Sequence, residues 1–344
     1  MDMVDEKTHE RTQFMRHCAL IIVGSMLFFS GCVSSPYSRG VERAIEKAPG
    51  DFLAKAVVGP QGDGTYVVAT TQIVAPAGES IEFPGRPTDI ALSPDESVLV
   101  LKTTGRSTMT GAGADLVFID MASRVVRQLL EMPKGENNFC GLAWTSDGQA
   151  VWATDAAGGL RCAKKGGDGA FAWAGQIALP GPGGKGDSAP GGLLLDESHG
   201  IIYVALSRNN SIGVVDVAGG KVETEIPVGI APYDIVRVGE TAYVSNWGGR
   251  RPKSGETTGP TGGSRAVVDP KTGIASTGTV SVIDLARRER VGEIEVGLHP
   301  SAMVLSADGG RLYVANANSD SVSVIDTRSN TVLSVDSARH ENHG

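Results

Sequence analysis

The stretch Ala242-Tyr243-Val244-Ser245-Asn246 has two near copies in this chain, Ile202-Tyr203-Val204-Ala205 and Leu312-Tyr313-Val314-Ala315-Asn316. Each copy lies between a proline that opens an apolar run and a second apolar run that ends in aspartate. The pattern defines a unit of about 42 residues, which is too small to bury its own apolar face and must therefore stack on copies of itself.

Five units can be aligned on their opening residues, which are Pro87, Cys140, Pro190, Pro232 and Pro300. Each predicts an apolar strand, a tight turn, a Tyr-Val-type strand, a polar turn, a strand ending in Asp and a weaker fourth strand. Four antiparallel strands in about 40 residues are typical of a β-propeller blade. A β-sandwich is the alternative, but head-to-tail repetition favours the propeller. We predict an all-β propeller of about five four-stranded antiparallel blades, whose ring is either closed or incomplete.

Composition agrees with this fold and restricts the partners. The chain has 344 residues, 46 glycines and 5% aromatic residues, which suits short strands and tight turns. Its formal charge of -8 makes a nucleic-acid partner unfavourable, because such binding needs a basic surface. A local basic patch is compatible with that total.

The N-terminal 32 residues predict export. Residues 18–29 form an apolar run that is too short to span a bilayer comfortably, and Ser30-Gly31-Cys32 resembles the end of a bacterial lipobox. We therefore expect a lipid on Cys32 that tethers the protein to a membrane without a spanning helix. Plain secretory cleavage and an uncleaved anchor are the alternatives, since Phe29 departs from the usual lipobox residue.

The predicted organisation has four parts. They are a signal peptide (1–32), a linker (33–62), the propeller (63–337) and a disordered tail (338–344). The expected location is the cell envelope, as a periplasm-facing lipoprotein.

The openings of the units and the turns between their second and third strands should share one face, at the mouth of the central channel. The candidates there include Arg86, Asp89, Asp234 and His299. A ring of such groups could hold a small polar ligand or an ion. The alternative is that they are solvated turn residues, or that the aspartates bond neighbouring backbone.

Unit four carries an insertion of about 28 residues in its second-to-third turn, beginning with Trp247-Gly248-Gly249-Arg250-Arg251. Trp247, Arg250 and Arg251 are candidates for docking a partner, because Trp and Arg are common in binding hot spots and long loops on rigid scaffolds are often functional. The competing interpretation is that an arginine stacks on the tryptophan and only pins the loop.

The sequence holds no spacing typical of a metal, nucleotide or catalytic site, so we assign no cofactor, metal or catalytic residue. His340 and His343 form an isolated pair in the tail. Cys140 and Cys162 fall on non-adjacent strands of one blade, too far apart for a disulfide.

The repeated Tyr-Val-Ala/Ser-Asn and Val-Ile-Asp motifs resemble the YVTN (YncE-like) β-propeller family over residues 84–337. Three stretches resemble a two-domain version of that family, in which an alkaline-phosphatase-like phosphoesterase domain follows the propeller: 83–87, 177–186 and 245–252. This resemblance implies more blades and a second domain beyond this chain. No residue here matches the phosphoesterase motifs, so that activity is not carried over.

The favoured hypothesis is therefore a lipid-anchored scaffold that binds an unidentified protein or a small polar ligand at the channel mouth. One alternative is a fragment of a propeller/phosphoesterase. Another is a lyase or lactonase at the channel mouth, which would use Arg86, Asp89, Asp234 and His299.

Overall fold

The computed structural model describes residues 57–68, 73–75, 79–104, 115–133, 140–155 and 157–337. Cys32, the signal segment and the tail after residue 337 lie outside the described residues. The described residues divide into two compact units, of which the larger begins at Pro84 and the smaller comprises the described residues before it.

The larger unit consists of five four-stranded antiparallel sheets in propeller arrangement, which confirms the predicted fold. The blades are numbered in chain order, and each blade consists of four consecutive strands apart from the insertion in blade 4. Blade 1 consists of β4 (Arg86–Leu92), β5 (Val98–Thr104), β6 (Asp115–Asp120) and β7 (Val125–Glu131), and blade 2 of β8 (Leu142–Trp144), β9 (Ala150–Asp155), β10 (Gly159–Lys165) and β11 (Phe171–Ala178). Blade 3 consists of β12 (Pro190–Asp196), β13 (Ile201–Leu206), β14 (Ser211–Asp216) and β15 (Lys221–Pro227), and blade 4 of β16 (Pro232–Val238), β17 (Thr241–Asn246), β20 (Gly278–Asp284) and β21 (Glu289–Val296). Blade 5 consists of β22 (Pro300–Leu305), β23 (Arg311–Asn316), β24 (Ser321–Asp326) and β25 (Thr331–Ser337).

The first strands of the blades lie side by side at the centre, in the order β4, β8, β12, β16 and β22. Every four-stranded sheet pairs only its own strands, so no hydrogen-bonded strand pair closes the ring within the described part of the chain. The blades are held together by their faces instead.

Apolar side chains fill each space between consecutive blades. One cluster lies between blades 1 and 2, where the rings of Phe118 and Phe171 stack with centroids 4.4 Å apart. Equivalent clusters separate blades 2 and 3, 3 and 4, and 4 and 5. Middle strands such as β13 are buried along their whole length, whereas the outer strand β7 alternates between exposed and half-buried residues. Each blade thus covers the apolar face of the next, as the repeat predicts.

The Asn of the repeated motif packs against a glycine that precedes the opening proline. In blade 5 a Cβ atom on Gly297 would lie 2.6 Å from Cγ of Asn316, and in blade 4 a Cβ atom on Gly229 would lie 2.5 Å from Cγ of Asn246. Both asparagines are buried and donate from Nδ2 to hydroxyls of the third strand, such as Ser323 at 2.9 Å. The motif is therefore a packing device that joins the second strand to the opening of its own blade.

The motif tyrosine of blade 4 links that blade to blade 5. Tyr243 is fully buried, and its hydroxyl donates to the carbonyl oxygen of Thr327 at 3.0 Å and contacts Oδ1 of Asn330 at 2.7 Å. The turns between first and second strands are stabilised by aspartate side chains. The carboxylate of Asp308, for example, accepts from Ser306 Oγ at 2.6 Å and from the Gly310 amide at 2.9 Å.

The smaller unit contains a three-stranded sheet of β1 (Gly59–Pro60), β2 (Tyr66–Val67) and β3 (Ile73–Val74). In the described residues these short strands pair only with one another.

Over the residues described, no helix is both long and apolar enough to span a membrane. Among the described residues of the propeller, the helical content is a single short 3-10 turn, Pro182–Gly184.

Replacing Gly297 by Ala tests the packing of the motif asparagine. The new methyl group would overlap the Asn316 side chain, so we expect blade 5 to lose about 1–3 kcal/mol of stability, measured by urea unfolding. Gly175→Ala is the matched control, since a Cβ atom there meets nothing within 4 Å. Equal effects of the two changes would contradict the packing role.

Candidate functional site

The propeller has one face on which the first strands begin and the second strands end, here called the mouth face. Register fixes this arrangement, because Pro232 pairs with Asn246 in blade 4 and Pro300 pairs with Asn316 in blade 5. Ala231 and His299 immediately precede the two prolines and share a left-handed backbone, with φ of 51° and 52°. Arg86 is exposed and makes no side-chain hydrogen bond or ion pair within the described residues.

Three aromatic rings from different segments stack on one another at this face. The ring of Trp247 lies 4.7 Å from that of His299, nearly parallel at 8°, and 5.8 Å from that of Tyr233 at 27°. Trp247 follows β17, His299 precedes β22 and Tyr233 lies in β16. Trp247 therefore stacks on other rings, and the arginine stacking considered for it from the sequence is not what the structure shows.

The nitrogen atoms of Trp247 and His299 lie at the open edge of this stack. All three residues are half-buried, and neither Nε1 of Trp247 nor the ring nitrogens of His299 bond to a described protein group. These nitrogens are also absent from the fully buried unpaired atoms of the described residues, so they reach solvent. Burial lowers the pKa of His299, which keeps its imidazole neutral at pH 7. The stack thus offers free hydrogen-bonding groups on rings that are already in place.

The insertion falls between β17 and β20, as predicted, and forms a hairpin of its own. Its strands are β18 (Thr258–Thr261) and β19 (Ser264–Val267). Ala266 packs in a small apolar cluster with Ile230 and Ala231, against which Trp247 also lies. The hairpin is therefore anchored to the link between blades 3 and 4.

The two arginines of the insertion hold it in place. Arg250 forms a bidentate pair with Glu256, with nitrogen–oxygen distances of 2.8 and 2.6 Å. Arg251 donates to the carbonyl oxygens of Val228 and Asn210, both at 2.7 Å. The pinning role proposed for these residues is present, although it acts through Glu256 and backbone carbonyls.

Asp89 and Asp234 occupy equivalent places, and each carboxylate joins two blades. Asp89 accepts from its neighbour Ile90 at 2.8 Å and from Gly141 of blade 2 at 2.6 Å. Asp234 accepts from Ile235 and from Met303 of blade 5, both at 2.8 Å.

Gly192 holds the corresponding place in blade 3. A Cβ atom there would lie 2.7 Å from Oδ1 of Asp234. Both aspartates thus serve as latches between first strands, which is the backbone-bonding role that the sequence left open.

Lys102 lies fully buried beside these latches. Its Nζ atom donates to the carbonyl oxygen of Cys140 at 3.1 Å and to Oγ1 of Thr154 at 3.2 Å. Burial lowers the pKa of Lys102 to about 8, while the Asp89 carboxylate opposes that decrease. Burial likewise raises the pKa of Asp89, and Lys102 opposes that increase. The two groups form a buried charge pair at the centre of the propeller.

Asp234 lacks such a cation, and burial raises its pKa to about 7; the amide of Met303 opposes this increase and the nearby Asp89 carboxylate adds to it.

Cys140 donates from Sγ to the carbonyl oxygen of Tyr233 at 3.2 Å. Burial raises the pKa of the Cys140 thiol well above its usual value, so the thiol stays protonated and unreactive. Cys140 and Cys162 are both free, as predicted.

The structure gathers some predicted residues and separates others. Trp247 and His299 come together in the stack, Asp89 and Asp234 each join two first strands, and Arg86 belongs to blade 1. Sequence reasoning missed the role of Lys102, although a lysine inside the apolar run of β5 (VLVLKTT) was a signal. It also missed Glu256 as the partner of Arg250. Within the described residues no group of three His, Cys, Asp or Glu side chains could hold a metal ion.

Comparison with solved structures agrees with the fold. A functionally unknown protein from Desulfotomaculum acetoxidans DSM 771 has a TM-score of 0.52 at 15% identity, over 79% of this chain and 77% of that chain. U3-55K has a TM-score of 0.51 at 12% identity, over 78% and 69%. Hydrazine synthase of Kuenenia stuttgartiensis has a TM-score of 0.48 at 19% identity, over 74% and 67%, which is too low to carry an argument.

Such identities show the fold alone. The chain is a β-propeller protein of five visible blades. No family model matches it, and no curated protein matches it. Membership of the YVTN family stays a prediction.

The pH dependence of stability tests the burial of Asp234. Its folded pKa of about 7 exceeds the ordinary value of 3.8, so its contribution is fully present below pH 3.8 and is lost as pH rises through 7. A difference of one between the folded and the ordinary pKa corresponds to about 1.4 kcal/mol of stability. We therefore expect the free energy of unfolding to fall by roughly a few kcal/mol between pH 4 and pH 8. Asp234→Asn should flatten this decline in urea unfolding.

The control is Asp308→Asn in an exposed turn. Hydrogen bonds from Ser306 and Gly310 lower the pKa of Asp308, so its contribution is lost only as pH falls below the ordinary carboxyl range. If the free energy of unfolding falls as steeply between pH 4 and pH 8 in Asp234→Asn as in the wild type, the decline does not come from the raised pKa of Asp234.

Proposed function

We propose that this protein is an exported, lipid-anchored β-propeller that acts as a binding scaffold, with its binding surface on the mouth face. The observation that carries the binding role is the stack of Tyr233, Trp247 and His299. The ring nitrogens of Trp247 and His299 reach solvent. Rings that are fixed before binding lose little conformational entropy on contact with a partner, and Trp and Tyr are frequent hot-spot residues.

The insertion supports the same face. It adds about 28 residues to the second-to-third turn of blade 4, and its hairpin is anchored by Arg250 and Arg251 rather than left loose. A pinned loop beside a fixed aromatic stack gives a preformed surface for a protein or a small polar ligand.

The alternative lyase or lactonase finds less support in the geometry. Both oxygens of Asp89 and of Asp234 accept backbone N–H groups that hold the blades together. A carboxylate engaged in this way is poorly placed to move a substrate proton.

Export and anchoring rest on the N-terminal sequence, where an apolar run precedes Ser30-Gly31-Cys32. A diacyl-modified Cys32 would hold the propeller at a membrane surface in the cell envelope.

Changing Cys32 to Ala tests the anchor. In cells fed an alkyne-tagged fatty acid, the full chain should take up label and sediment with membranes, whereas Cys32→Ala should do neither. Cys140→Ala is the control, because it removes a different cysteine and should leave label and fractionation unchanged. Label on Cys32→Ala, or no label on the wild type, would sink the proposal of a lipid anchor.

Photo-crosslinking in cells tests the binding face. A photoreactive residue at Lys253 in the insertion should give a specific adduct, and the same residue at Lys221, in the outer strand β15, should give none. Trp247→Ala should weaken the Lys253 adduct at least about threefold, since it removes a hot-spot side chain. The proposal fails if Lys253 yields no adduct or if both positions yield the same one.

A further inference from the structure

The insertion has the opposite charge to the rest of the chain. Residues 247–277 contain five basic side chains and two acidic ones, a formal charge of +3, within a protein whose total is -8. The repeat accounts for none of these basic residues, because the insertion is additional to the four strands of blade 4. The insertion is thus a locally basic segment of an acidic protein.

The two acidic residues of the insertion reduce its five positive charges to a formal +3. Glu256 is engaged by Arg250 in the bidentate pair. Asp269 accepts from the amides of its own turn, Lys271 at 2.8 Å and Thr272 at 2.9 Å. The remaining four basic residues of the insertion form no ion pair within the described residues.

Two of these four are fixed by neutral acceptors. Arg251 bonds to backbone carbonyls, and Arg265 donates to the hydroxyl and carbonyl oxygens of Thr258. A guanidinium held by carbonyl groups keeps its full charge and retains further N–H donors for a partner. The basic patch is defined here as these four residues and Lys185 in an exposed turn of the same face: Lys185, Arg251, Lys253, Arg265 and Lys271.

The surroundings distinguish among anionic partners. Ile274 is the one large apolar side chain of the insertion that is well exposed, at 45%, which offers little to insert into a membrane. A net charge of +3 is also small for tracking a nucleic-acid backbone. Fixed guanidinium groups beside half-buried Trp247 suit a protein segment that brings carboxylates to the arginines and lysines and a side chain to the stack.

We infer that the mouth face docks an acidic segment of a partner protein, which lies across the basic patch and contacts the edge of the aromatic stack. This inference rests on the proposed binding function and names the chemistry of the partner. Complementary charge would speed the encounter, and the stack would supply contacts that slow dissociation.

The test uses the full chain in detergent and a fluorescein-labelled peptide of 20 residues, rich in Asp and Glu, with a Gln/Asn version as the neutral probe. Anisotropy should show binding of the acidic peptide alone, weakened several-fold on raising the salt from about 50 to 300 mM, since exposed charges are screened. Changing Lys185, Lys253 and Lys271 together to Glu should lower the affinity at least about tenfold.

The matched control changes Lys164, Lys165 and Lys221 to Glu, which alters the net charge equally on strands away from the mouth face. It should stay within about twofold of the wild type, because its charges lie outside the patch. Equal losses in both triple variants would refute the inference. So would tighter binding to vesicles containing 30% phosphatidylserine than to the peptide.

Crosslinking separates this inference from the proposed function. If Lys253 gives a protein adduct in cells while the acidic peptide does not bind, the scaffold stands and the acidic chemistry is wrong. If neither occurs, both are wrong.

Discussion

The structure depends on the fact that one four-stranded sheet cannot bury both of its faces. Each blade must cover the next, and the chain achieves this with apolar clusters between every consecutive pair. The blades stack tightly because their first strands approach one another closely at the centre of the propeller. Glycines at positions such as 192 and 297 let side chains from Asp234 and Asn316 approach the neighbouring backbone. The polar contacts of the site are consequences of that closeness.

At the channel centre the same closeness forces polar groups out of water. Lys102 is fully buried. Its burial is tolerated because Asp89 provides an opposite charge and because the oxygens of Cys140 and Thr154 accept hydrogen bonds from its Nζ atom. Asp234 has two amide donors but no cation, so it keeps a raised pKa. The centre is therefore a hydrogen-bonded plug that joins blades 1, 2, 4 and 5, and the groups left for a ligand lie above it on the mouth face.

Much of the fold followed from sequence, because the repeat is regular. The Tyr-Val strands, the aspartate turns and the position of the insertion could all be located by aligning units, and the strands begin and end close to the expected residues. The site was harder to foresee, since its contacts join residues that are far apart in the chain. Nothing local relates Trp247 to His299, or Lys102 to the carbonyl of Cys140. The charge of the insertion was visible in the sequence. The structure was needed to show that Glu256 pairs with Arg250 and that the other four basic residues of the insertion form no ion pair within the described residues.

The left-handed backbone of His299 has a consequence for how this protein could change. At φ of 52° a residue with a side chain stores strain of about 1 kcal/mol, which glycine would release. Glycine at that place would also remove the outer ring of the stack. Selection for a sturdier propeller and selection for its surface chemistry therefore favour different residues at one position, and keeping histidine there sacrifices some stability for the ring.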